Sequence, residues 1–489
     1  MFKGGRWARG RSLALSVMGA SVVAVMVAAC GSSGSATSSS GASTSGSGGS
    51  SSGSSASSSG SSSGSASSGS QSGSAAGSGS SSGTSGSSSG KKVSITYWSS
   101  SSQDQIDYLD SHFNDSHPGI TVKGQYIASA DNTTAKVVAA LKSGTEPNIL
   151  LGQDPSNLPL YAQSGKVVDL TDALKAETDA LYPGIKQGLF YQGKQLGFAL
   201  GGVGDYLLFY NKDDFAKAGI SDPPKTWDEL VADAKTLTEK LSTSGKPHYG
   251  FYVPLGSAEW ISYVWESLLW GNGGSLLNSD GTKVAFNDKA GLDALNAWYT
   301  MVQKDHSAPT TSYAQGGSYD GAPAFASGAV SMIVNGQWAL SEFKDVNYGV
   351  ALMPAGTSGK SSAGIGIGVA TVFNTGGDDA VKAAEEFVKW LGQPEQGAYL
   401  TAQSGGLPSA PNQLDQEVLK KSIANQPTYQ TFADQLQYGQ VRPTIPAYAA
   451  ISQALSDNIN KALTGKVTPQ QALDAAAEAG NAAIANSGS

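Results

Sequence analysis

From residue 93 the apolar positions fall at every second place, Val93, Ile95 and Tyr97, before Trp98 leads into the polar run Ser99-Ser100-Ser101-Ser102-Gln103. A period of two marks a half-buried strand. A polar helix over 105–114 follows, then a turn at His117-Pro118-Gly119 and a second strand through Ile120 and Val122. A helix around 135–143 and a short apolar strand, Ile149-Leu150-Leu151, continue the alternation. Strands alternating with helices of this length predict a largely parallel α/β sheet.

Farther along, the period is 3.6 and the helix starts are marked. Thr226-Trp227-Asp228-Glu229 is a capping box, with Leu230, Ala234, Leu237 and Leu241 as the buried stripe behind it. Thr468-Pro469-Gln470-Gln471 is another, with proline at the first helical position. Asp379 opens a helix whose Val381, Ala384, Phe387, Val388 and Leu391 recur at helical spacing and which stops before Pro394. No sequence repeat runs through this part of the chain.

The first ninety residues follow neither period. Lys3, Arg6, Arg9 and Arg11 precede an uncharged, mostly apolar run over 13–29 that closes on Val27-Ala28-Ala29-Cys30. Basic segment, greasy stretch and small-residue cleavage site make up an export signal. It resembles a bacterial lipoprotein signal over 1–29, in which Cys30 becomes the lipidated first residue, although Val27 replaces the usual leucine. An ordinary signal peptide or an anchor is the plainer alternative. Over 31–90, fifty of sixty residues are Ser or Gly and none is charged. Such a segment buries too little apolar surface to offset its ordering entropy, so 30–90 is expected to be a disordered tether. Its end-to-end distance as a coil is about 40–45 Å. An O-glycosylated stalk is compatible with the same composition.

The body, 91–489, is 399 residues long, which exceeds one ordinary core and predicts two lobes. It carries 27 basic and 39 acidic residues, a net charge of −12 with no basic run, which argues against a nucleic-acid partner. No second apolar run has the roughly 18–20 residues of a membrane helix. Cys30 is the single cysteine in the chain, so the body holds no disulfide, thiol nucleophile or cysteine metal site. Four histidines (His112, His117, His248, His306) lack metal spacing. Neither a P-loop nor a nucleophile elbow is present, and no metal or other cofactor is expected.

Six segments resemble, in order, the extracellular solute-binding proteins of ABC importers, in their sugar-binding, maltose-binding-protein-like group. They are HPGITV (117–122), SGTEPNILL (143–151, with Asn148 where the family usually has aspartate), and FYNKDDFAKAGI (209–220) with PPKTWDEL (223–230). PAFASGAVSM (323–332), EEFVKWLGQPEQ (385–396) and LTGKVTPQQAL (463–473) complete the set. The resemblance implies an α/β two-lobe periplasmic-binding-protein fold, type II-like, with a ligand cleft between lobes that close about a hinge. The lobes are expected over 91–205 with about 364–410, and over 206–363 with about 411–489. It further implies a carbohydrate ligand, ABC permease transmembrane subunits as partner, a lipid-anchored monomer at the outer face of the cytoplasmic membrane, and no enzymatic activity. Most matched motifs, including Asn211-Lys212 and the Thr226–Glu229 box, read as loop and helix-start structure.

A neutral sugar needs aromatic plates and a few placed carboxylates and amides, at the carboxyl ends of strands in α/β sheets. Trp98 with Ser100 ends the first strand, and Asp154 follows the third. Asp205 precedes the strand 206–210. Of Trp260, Trp265 and Trp270, Trp260 is the cleft candidate and the other two read as core. Trp338 lies where the family often places a cleft aromatic. In the run Gly364-Ile365-Gly366-Ile367-Gly368, resembling the recrossing strand, Gly366 would let a ligand approach or free the hinge. Arg442, the only arginine of the body, sits in VRPTIPAYAAIS (441–452) with Tyr448. A guanidinium could clamp a phosphate or carboxylate, so glycerol-3-phosphate or another polyol phosphate is the alternative ligand, and a lobe-stabilising arginine the structural one. A secreted glycoside hydrolase is the enzymatic rival, needing two carboxylates about 5–10 Å apart. The adjacent pairs Asp213-Asp214 and Glu385-Glu386 read instead as a cap and a solvated face. A surface adhesin would explain the stalk but not the strand–helix alternation.

If Cys30 carries lipid, Cys30→Ser is expected to move the protein from the detergent phase to the aqueous phase in a detergent-partitioning assay.

Overall fold

The computed structural model describes residues 92–127, 132–255, 258–311 and 321–487. Cys30, the export signal and the tether lie outside the described residues.

The opening strand Val93–Ser99 forms as its pattern predicts, with Ile95, Tyr97 and Ser99 buried and Ser94 and Thr96 exposed. Ser102 caps the helix Gln103–Ser116, accepting from Gln105 N–H, and the helix buries Ile106, Leu109 and Phe113 against the sheet. Strands Ile120–Tyr126 and Ile149–Gln153 flank the first strand in parallel. Asn148 ties them together: its Oδ1 accepts from Thr96 N–H at 2.9 Å and its Nδ2 donates to the Thr375 carbonyl at 3.0 Å. An amide accepts and donates at once, which an ionised aspartate there could not.

Val369–Val372 and then Phe198–Ala199 add antiparallel strands, completing a five-stranded sheet. The helix Asp378–Leu391 covers one face with Ala384, Phe387, Val388 and Leu391 as read from the sequence, joined by Ala380 and Ala383, while Val381 is only half-buried. Its Phe387 ring lies 5.2 Å from Tyr97 and 4.9 Å from Phe113. Such aromatic contacts add to the burial of their large apolar area.

A second sheet runs in the order Tyr348–Ala351, Tyr206–Asn211, Val330–Gly336, Tyr249–Phe251. Val330–Gly336 is buried along its whole length, as a central strand covered on both faces must be. The helices Trp227–Leu241, Ala258–Gly271, Lys289–Tyr299, Tyr448–Leu463 and Pro469–Asn486 pack around this half. Both capping boxes form, at Thr226 with Glu229 and at Thr468 with Gln471. Asn211 accepts from the Asp213 and Asp214 amides, so that motif is a helix cap.

The chain passes between the sheets more than once, giving the two-lobe fold. Phe198–Ala199 of the first sheet leads through Gly201, Gly202 and Gly204 into Tyr206–Asn211 of the second. Residues 364–368 return toward Val369–Val372, and Gly204 and Gly366 exchange two backbone hydrogen bonds of 2.9 Å where the crossings meet. A third passage, Gly439–Gln440, pairs in parallel with Ala363–Gly364 and rests on the short helix Pro183–Gln187. Gly184 of that helix is in close contact: a Cβ there would stand 1.8 Å from the Gly439 carbonyl oxygen.

Gly184→Ala is therefore expected to lower stability by about 1–3 kcal/mol through overpacking against rigid backbone, read as a reduced denaturant midpoint.

Candidate functional site

The carboxyl ends of the first sheet's parallel strands and the amino end of the helix Ala258–Gly271 meet at Arg442. Asp154, just past the strand Ile149–Gln153, is oriented by accepting from Ser156 N–H at 2.8 Å through Oδ1. Its Oδ2 accepts from Arg442 Nη2 at 2.5 Å. On the other side Arg442 Nη1 donates to Glu259 Oε1 at 3.0 Å. The guanidinium lies over the Tyr263 ring, 5.2 Å from its centroid. Burial works against this charge, but Asp154 and the other neighbours more than offset it, and the Arg442 pKa stands well above its ordinary value.

Glu259 is the branching point. Its Oε2 accepts from Ser452 Oγ at 2.6 Å, and the Tyr448 hydroxyl lies 3.3 Å from its Oε1 and 3.3 Å from Glu266 Oε1. Glu266 is fully buried, and its other oxygen has no hydrogen-bond partner among the described residues. Burial, reinforced by the charge of Glu259, pushes its pKa well above the ordinary carboxylate range. Burial likewise raises the phenols of Tyr263 and Tyr448 well above theirs.

Beside this charged group stands an aromatic one. Trp338 is 36% exposed and meets Trp260 edge to face at 6.0 Å. Trp260 is itself only 6% exposed, held edge to face against Tyr206 at 5.8 Å, and its indole N–H has no partner. Trp260 thus backs Trp338, and Trp338 is the more exposed of the two rings. Gly336, two residues before, leaves room for it: a Cβ there would fall 2.2 Å from the Trp338 ring.

Asp205 is completely buried at the crossing. Its Oδ1 accepts from Tyr206 N–H at 2.6 Å, and Oδ2 has no partner. Burial raises its pKa well above the ordinary range, only partly countered by the Tyr206 amide. It is a buried acid of the crossing and not a ligand acceptor open to solvent. Gly366 faces the Tyr263 hydroxyl with room to spare, since a Cβ there would stand 3.9 Å away. Gly364 has no such room, its Cβ position being 2.5 Å from the Tyr263 ring. Trp265 is buried in the core and Trp270 half-buried, neither joining the group.

Tyr263 thus meets Trp260, Arg442 and Gly366, while Asp154 is joined through Arg442, Tyr448 through Glu259 and Trp338 through Trp260. Trp98 is placed apart: it donates to Gln125 Oε1 at 3.1 Å and lies under Lys136 Nζ at 4.6 Å, on the face packed by the helix Asn132–Ser143. It points sideways because alternation puts it opposite Tyr97. Ser100 lies beyond the end of that strand, half-buried near Gly152. Sequence reasoning overlooked Glu259, Tyr263 and Glu266 as site residues. Their spacing of four and three places them on one face of an otherwise apolar helix, which was the available signal.

With this geometry in view, the profile of bacterial extracellular solute-binding proteins matches residues 98–398. The chain belongs to that family. The crystal structure of a cyclic α-maltosyl-1,6-maltose binding protein from Arthrobacter globiformis superposes on this solute-binding protein with a TM-score of 0.70 at 26% identity, covering 81% of this chain and 100% of the other. A putative binding protein of Brucella abortus is 26% identical over 403 residues, covering 79% of this chain and 92% of its own. The sn-glycerol-3-phosphate-binding periplasmic protein of Pectobacterium atrosepticum is 25% identical over 430 residues, covering 80% and 91%. No described helix is long and apolar enough to cross a membrane.

Folded protein keeps a proton on Asp205 that the unfolded chain releases above pH of about 4. Stability conferred by this protonation is complete below that pH and falls as pH rises toward the folded-state pKa. Asp205→Asn removes the dependence while keeping the acceptor for Tyr206 N–H. Paired melts are expected to show the variant more stable than wild type at about pH 8, with the gap closing by about pH 4.

Proposed function

We propose that the chain is the substrate-binding lipoprotein of an ABC importer, capturing a neutral mono- or oligosaccharide outside the membrane and delivering it to the permease. The observation that carries this is a half-open indole, Trp338, resting on Trp260, whose neighbour in the chain, Glu259, shares Arg442 with Asp154 so that both carboxylates are held as acceptors. An indole face matches the C–H face of a pyranose, and carboxylates accept from its rim hydroxyls. The family and the cyclic maltosyl-maltose binder of similar fold support the same reading. Closure of the lobes would bury the ligand and present the closed form to the permease. Cys30 would carry the lipid and the Ser/Gly segment would serve as the tether.

The adjacent acidic pairs Asp213-Asp214 and Glu385-Glu386 do not belong to this group of residues. Asp213 accepts from Asn347, Asp214 pairs with Lys217 at 3.2 Å and accepts from Ser331, and Glu385 and Glu386 lie on the helix Asp378–Leu391. Each pair has a structural task away from Trp338.

A thermal-shift screen of the mature chain against maltotriose, maltotetraose, tagatose, other neutral sugars and amino acids tests the reading. A neutral sugar at about a hundredfold its dissociation constant is expected to stabilise the fold by about 2.7 kcal/mol. Trp338→Ala should then weaken that sugar by about tenfold, in line with one aromatic contact. Sugars that leave the melting point unmoved, or that are hydrolysed, would sink the proposal.

A further inference from the structure

We propose that Arg442 is a specificity-determining residue through its occupancy: pinned between Asp154 and Glu259, it orients two hydroxyl acceptors and makes the cleft reject phosphate esters. This deepens the carbohydrate reading above and rests on it. An arginine beside a ligand cleft is ordinarily a clamp for anions, because its planar fork matches phosphate and carboxylate oxygens. Here each terminal nitrogen already donates to a carboxylate, Nη2 to Asp154 Oδ2 at 2.5 Å and Nη1 to Glu259 Oε1 at 3.0 Å, and one face lies over Tyr263. A phosphate would have to compete with two countercharges for the donors that remain. Two carboxylates against one guanidinium leave the site negative.

A phosphate monoester would have to displace a carboxylate and leave it partly buried without its partner, which is strongly unfavourable. It would also face the repulsion of the second acid. A neutral polyol meets neither obstacle. Asp154 and Glu259 side chains are 34% and 48% exposed, so oxygen lone pairs remain for hydroxyl donors while Arg442, Ser156, Tyr448 and Ser452 fix their positions. Arg442 thus acts through the two acids as a positioning residue. The two halves of the bridge come from different lobes: Asp154 follows a strand of the first sheet, and Glu259 opens a helix packed with the second. Holding the acceptors across the cleft therefore requires a cation with two separated donor edges, which a lysine lacks.

The test is calorimetric titration of the mature chain with sn-glycerol-3-phosphate and with inorganic phosphate. Wild type is expected to bind neither at millimolar concentration. The variant Asp154→Asn/Glu259→Gln, which frees the guanidinium without changing shape, should gain affinity for both anions by at least tenfold, and adding Arg442→Gln should abolish the gain. A merely structural arginine predicts no gain. Glu259→Gln alone, at a half-exposed position, provides a smaller gain of the same sign should the double variant fold poorly. Wild type that binds sn-glycerol-3-phosphate, with binding lost in Arg442→Gln, overturns the proposal, as does a folded variant that gains nothing. The sugar screen judges the carbohydrate reading separately. A chain that ignores every sugar yet gains anion binding in the double variant would sink the carbohydrate reading and leave standing only the exclusion of anions by the occupied guanidinium.

Discussion

The crossing of backbone between the two sheets is the constraint on which the site depends. Gly204 and Gly366 exchange amide hydrogen bonds there, and Tyr263 packs directly on Gly364. Because each crossing strand begins in one lobe and ends in the other, any side chain near the junction is held by both. Tyr206 illustrates this: its amide is bonded to Asp205, and its hydroxyl accepts from Gly364 N–H and lies against Ser267.

Charge at the junction follows from the same enclosure. In a partly desolvated space, ion pairs gain strength but isolated charges become costly. Arg442, shared by Asp154 and Glu259, stays ionised, whereas Glu266 and Asp205, each with one oxygen unpartnered, are driven toward their neutral forms. One cation thus divides four acids into two that can accept strongly and two that are structural. Trp338 completes the chemistry by offering an apolar face beside the acceptors, braced by Trp260.

The elements were legible wherever local chemistry decides. The strand Val93–Ser99, both capping boxes and most of the stripe of the helix Asp378–Leu391 form as the residue pattern predicts. Each depends on contacts within a few residues or on a face with one possible core. Of the candidate residues, Asp154, Arg442 and Tyr448 are linked through hydrogen bonds by way of Glu259, and Trp338 meets Trp260, while Trp98 turns onto the face of the helix Asn132–Ser143. Alternation along a strand tells which face a side chain takes, but which face borders a cleft depends on the helices that cover the sheet.

By itself, then, the sequence determined the α/β class, the two-part length, the helix starts and the single arginine of an acidic body. These follow from periodicity, capping and composition, which act at short range. The tertiary structure alone decided what that arginine does. Asp154 and Arg442 are 288 residues apart in the chain, and Glu259 and Arg442 183. No local preference can encode whether such partners meet, because their meeting depends on how the crossing strands fold the two halves together. The same guanidinium, legible in the chain as a possible anion clamp, becomes in the folded molecule a bridge already occupied.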